Sequence, residues 1–101
     1  MFWKKKVKEY NEIWGIESLH KYTPGSTNYS YYPVYQAVNV LIELNNNIKG
    51  NLDFEVIEYG KERLNISIKG DPKFANELKN QFCIECGDIF SIKEGKFAYV
   101  C

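Results

Sequence analysis

His20 is the only histidine in the 101-residue chain, so general acid–base chemistry near neutral pH has one obvious candidate. Ser18 lies two residues before it and would share its face on a strand, but at a spacing of roughly 6.6 Å. A nucleophile and its base need hydrogen-bond contact instead. The plain reading of His20 is a surface or edge-strand histidine; an enzyme would have to pair it with Glu17 or a carboxylate from the hairpin. Asp53 and Glu55 also share a strand face, at a separation close to that of paired-carboxylate glycosidases. Their alternation with Leu52, Phe54 and Val56 explains them more simply as the wet side of a half-buried strand. No phosphate-binding glycine loop, zinc-protease string or nucleophile elbow occurs. The reading is therefore of a protein without catalysis, with a small enzyme using His20 as the second alternative.

The sharpest local string is Cys83-Ile84-Glu85-Cys86-Gly87, followed by Gly95-Lys96-Phe97-Ala98-Tyr99-Val100-Cys101. Over residues 83–101 it resembles the first knuckle and returning strand of a zinc ribbon. That resemblance implies thiolate ligands Cys83, Cys86 and Cys101 around a tetrahedral zinc, with a fourth ligand from His20, water, the terminal carboxylate or another subunit. A zinc-stabilised module, accessory to nucleic-acid machinery, is the alternative on this ground. The competing reading makes Cys83 and Cys86 small buried hydrophobes, and no cofactor is then expected. A count of three cysteines fits reduced thiols or metal ligation better than a closed disulfide framework, which points to the cytoplasm.

The second unusual segment is Tyr29-Ser30-Tyr31-Tyr32-Pro33-Val34-Tyr35, with Asn28 before it and Tyr22 nearby. Tyrosine offers a large amphipathic contact area with few rotors to freeze, and Ser and Asn supply adaptable hydrogen bonds, which is the chemistry of a protein-binding loop. Base stacking would need a positive groove, yet residues 22–43 contain no Lys or Arg. Of thirteen basic residues only Arg63 is arginine, the preferred reader of phosphate and guanine, so nucleic acid loses weight as a partner.

Thirteen basic and thirteen acidic residues cancel, so net charge steers the chain toward neither nucleic acid nor anionic membrane. A hydrophobic fraction of 45% is ample for a packed core in one domain. Apolar runs are far shorter than the ~20 residues that cross a bilayer, and the charged start Lys4-Lys5-Lys6 does not read as a signal peptide.

The elements follow from periodicity. Trp3, Val7, Tyr10 and Trp14 form one helical stripe that Gly15 can close, and residues 16–22 read as a strand. Pro33 opens a second helix with Ala37, Leu41, Leu44 and Ile48 on one side, ending several residues before Gly50. Leu52, Phe54 and Val56, then Leu64, Ile66 and Ile68, make a hairpin with one buried face. Asp71 caps and Pro72 starts a third helix lined by Phe74, Leu78 and Phe82. Residues 88–92 and 96–101 form a second hairpin in which Phe97 and Tyr99 share a face. The fold class is α+β: a single domain with an antiparallel sheet of four to five strands and helices packed on it. Its order is that of a ferredoxin-like split β-α-β with an added N-terminal helix and C-terminal strand.

By elimination the chain reads as a binding module of immunity, inhibitor or adaptor type, its partner a toxin or enzyme that it neutralises, gripped by Tyr22, Asn28, Tyr29, Ser30, Tyr31, Tyr32 and Tyr35. Tyr31→Ala or Tyr32→Ala is expected to weaken that complex by about 2 kcal/mol without unfolding the domain. Titration calorimetry with the partner checks this, and unchanged affinity in both variants removes the segment from the interface.

Overall fold

A computed structural model describes residues 9–19, 33–60, 62–96 and 98–100. In chain order the elements are β1 (Tyr10–Ser18), α1 (Tyr35–Asn47), β2 (Asp53–Tyr59), β3 (Arg63–Gly70), α2 (Pro72–Cys86), β4 (Phe90–Glu94) and β5 (Ala98–Tyr99). The five strands form one sheet in the order β2-β3-β1-β4-β5, and every neighbouring pair is antiparallel. The chain passes from β1 through α1 to β2 with β3 lying between, and from β3 through α2 to β4 with β1 lying between. Two interleaved β-α-β units result, an α+β arrangement compatible with the ferredoxin-like split.

The first element is corrected. Residues 10–14 are not the end of a helix but the first half of β1, and Gly15 is an interior strand residue rather than a cap. A spacing of four is twice the strand period and close to one helical turn of 3.6 residues: Tyr10 and Trp14 share a face on a strand as surely as on a helix. The strand wins because Trp14, Ile16 and Ser18 are buried at period two while Ile13 is exposed, and because β1 finds a ladder on each side. It pairs with β3 from Tyr10↔Gly70 to Glu17↔Arg63, and with β4 from Trp14↔Glu94 to Ser18↔Phe90. The expected strand over residues 16–22 is thus placed too late, since β1 ends at Ser18. Trp3 and Val7 lie outside the described residues.

The other elements fall where periodicity puts them, except that β4 begins at Phe90 rather than residue 88 and takes in Lys93 and Glu94 from the expected turn, and β5 is confined to Ala98–Tyr99; Phe97 lies outside the described residues. In α1, Ala37, Leu41 and Leu44 are buried, and the helix runs through Asn47 before turning. Lys49 and Asn51 take left-handed φ values of 54° and 48° there, and Gly50 accepts a close approach: a Cβ on it would stand 2.4 Å from Asn45 Oδ1. The same Asn45 Oδ1 accepts a hydrogen bond from the Leu52 amide at 3.2 Å, stitching the helix end to the start of β2. In α2, the Asp71 carboxylate accepts from the Lys73 amide at 2.9 Å and Pro72 occupies the first turn, where its missing N–H costs nothing.

The two helices pack together on one face of the sheet. Beneath them lie Trp14 and Ile16 of β1, Leu64, Ile66 and Ile68 of β3, and Phe90 and Ile92 of β4, all almost wholly removed from water. Ala75, Leu78, Phe82 and Cys86 come down from α2, and the Phe82 and Phe90 rings meet with centroids 6.3 Å apart.

Candidate functional site: the open face of the sheet

Strand alternation sends the remaining side chains to the opposite face, which no described element covers. From β1 these are Asn11, Ile13, Gly15 and Glu17. The register sets Gly15 between Asn65 of β3 and Lys93 of β4, and sets Glu17 between Arg63 and Ser91. A glycine in the middle of the central strand lowers the floor at that point. A hollow of about 810 Å³ opens over it, walled by Ile13, Glu17, Arg63, Asn65, Lys93 and Tyr99. That volume is in the range of pockets that admit a small ligand or a protruding side chain.

The walls carry groups of both signs. Asn65 donates its amide to Glu58 Oε2 at 3.3 Å, which leaves its Oδ1 turned toward Gly15, 3.3 Å from where a Cβ would stand. The Lys93 ammonium sits 5.5 Å from the centroid of the Tyr99 ring, which is 71% exposed. Ile13, at 47% exposure, adds an apolar patch beside the hollow. Hydrogen-bond donors, acceptors, an aliphatic surface and an aromatic ring thus converge on one concave face.

On the helix side a second polar group does structural work. Trp14 is fully buried and donates its indole N–H to the Tyr10 hydroxyl at 2.7 Å; Tyr10 donates in turn to Glu94, which also takes Lys79 from α2. The Lys79 ammonium lies 5.2 Å from the Tyr10 ring centroid. The chain of bonds ties α2 to β1 and β4. Burial alone would push the Glu94 carboxyl up, but the hydrogen bonds from Lys79 and Tyr10 and the Lys79 charge outweigh it and hold the group below its ordinary value. Burial first, then the bond to Glu94, pushes the Tyr10 hydroxyl up.

The cysteine expectations change. Cys83 is disulfide-bonded, so it is not one of three reduced thiols and its sulfur has no thiolate to offer a metal. Cys83 and Cys86 both lie in the last turn of α2 rather than in a knuckle between strands, which departs from the zinc-ribbon pattern. Cys86 is a buried free thiol pushed up to about 12 by burial, with Glu85 and Asp88 adding. Among the described residues no group of His, Cys, Asp and Glu could hold a metal ion, and Cys101 lies outside them. The disulfide also removes the premise of reduced thiols on which a cytoplasmic setting rested.

Of the tyrosine segment, Tyr35 is placed: it begins α1, is 48% exposed and does not line the hollow. Tyr22, Asn28, Tyr29, Ser30, Tyr31 and Tyr32 lie outside the described residues, as does His20. Ser18 is buried on the helix side of β1, and Asp53 and Glu55 stand exposed on the open face of β2, the wet side of that strand. Apart from Glu17, offered as a partner for His20, the residues around the hollow were given no site role by sequence. A glycine inside an alternating pattern is the one signal that could have found them. Comparison of the chain with protein-family models, with curated proteins and with solved structures finds no match.

The Glu94 network has a pH signature. A carboxyl held low in the folded state contributes stability that is present above the ordinary glutamate pKa of about 4.3 and is lost as pH falls through its lowered value. Glu94→Gln is expected to lower stability at pH 7 on the order of 2 kcal/mol, as for loss of a hydrogen-bonded charged group. The gap to the parent protein should close as pH drops into the acid range. Urea midpoints across that range check it, and a gap independent of pH would contradict the assignment.

Proposed function

We propose that this chain is a small binding module that acts by stoichiometric contact with another protein, of immunity, inhibitor or adaptor type, and not by turnover. One observation carries the reading: a five-stranded sheet whose second face is left uncovered by the described elements, with a hollow at its centre. A sheet that packs helices on one face gains nothing by sinking a glycine into the middle of the other unless something occupies the space. Arg63 and Tyr99 are the residue types that anchor protein interfaces, and Ile13 supplies the apolar contact beside them. A partner side chain inserted over Gly15 would meet Asn65, Lys93 and Tyr99 together.

The tyrosine segment is a second contact. It connects β1 to α1 in the chain, and its exposed member Tyr35 is available to a partner. The partner class that suits such a surface is a folded protein, a toxin or an enzyme under inhibition, rather than a membrane. No helix among the described residues is long and apolar enough to cross one.

The test pairs the parent protein with an Arg63→Glu, Tyr99→Ala double variant, both tagged and exposed to lysate of the native host. The parent is expected to retain one protein at one-to-one stoichiometry and the double variant to lose it, while an Ile84→Ala control on the exposed side of α2 retains it. Equal capture by all three would move the contact off this face.

A further inference from the structure

The sheet has two edges, and they differ. β5 spans two residues, too short to template anything, whereas β2 spans seven. Among the described residues the outer side of β2 is unpaired. Folded proteins usually blunt such an edge with charged side chains, proline or a bulge, and the charges on β2 are all acidic, which turns away acidic strands but not basic ones. Here β2 has no lysine, arginine or proline, and its only irregularity is a register shift between Val56 and Glu58. Residues 53–56 before that shift are regular.

Their side chains form two rows. Asp53 and Glu55 lie on the open face, opposite Lys69 and Ser67, and make no ion pair among the described residues. Phe54 and Val56 lie on the helix face, where Val56 is still 43% exposed. A second copy of this chain is a poor occupant. Antiparallel two-fold pairing centred on this stretch sets Asp53 opposite Glu55, and like charges directly opposite destabilise a sheet.

From this edge we infer a second binding surface, separate from the hollow: residues 53–56 of β2 take an extended segment of another protein as an added antiparallel strand. That segment alternates basic and apolar residues. Its backbone completes the ladder, its basic side chains stand over Asp53 and Glu55, and its apolar side chains cover Phe54 and Val56. The irregularity at Ile57 ends the added ladder, because the residue left over there has no partner to align with.

A short capped peptide alternating lysine and valine serves as the probe, titrated into the isotope-labelled full chain by NMR. Saturable amide shifts are expected at residues 53–56 and to fade beyond Glu58. The Asp53→Asn, Glu55→Gln variant should bind about tenfold more weakly or worse, the combined effect of two lost attractions. The glutamate–valine counterpart should not bind. Because both substituted positions are exposed, the variant's unchanged thermal midpoint separates lost binding from lost folding. Shifts gathered around Gly15 and Lys93, equal binding of the two peptides, no saturable shift, or self-association of the parent chain through β2 would each overturn the proposal.

Discussion

A strand in the middle of a sheet must satisfy two ladders and two faces at once, and β1 carries that constraint for the whole domain. β3 and β4 do not pair with each other; each is held in place by pairing with β1, which lies between them. Trp14 sits where the demands meet. It is fully buried on the helix face, directly opposite Ile66 and Glu94, and its single polar atom is satisfied by the Tyr10 hydroxyl from the same strand. A buried indole N–H without a partner would forfeit a hydrogen bond, so Tyr10, Glu94 and Lys79 complete what the burial of Trp14 begins.

The two faces of β1 are then specialised by alternation. Even positions carry Trp14, Ile16 and Ser18 into the core, and odd positions carry Ile13, Gly15 and Glu17 to the open side. A one-residue slip would exchange these sets and bury Glu17. The same alternation on β3 and β4 brings Arg63, Asn65, Ser91 and Lys93 into one field around Gly15. The hollow is therefore a consequence of register: it exists only because three strands that are distant in sequence are fixed side by side by the core beneath them.

That origin explains what was legible beforehand. α2 is announced by Asp71 and Pro72 and lined at four-residue spacing, and the β2–β3 hairpin shows plain alternation. Both signals are local and period-specific. The segment from Tyr10 to Trp14 carries a spacing that serves helix and strand equally, so the decisive information was the availability of two ladders, which no local pattern records. Arg63, Asn65, Lys93 and Tyr99 look like ordinary surface residues until register assembles them. The cysteines were opaque for a further reason. An odd count says nothing about which thiol is bonded, and Cys86 proves to be a core residue at the end of a helix rather than half of a knuckle.

Native-state hydrogen exchange at β1 tests most directly whether this strand holds the domain together. The account predicts that the amides of Trp14 and Ile16 exchange only through global unfolding, with the same free energy of opening as Ile66 on β3. Exchange of those two amides through a smaller local opening, with β3 still protected, would contradict it.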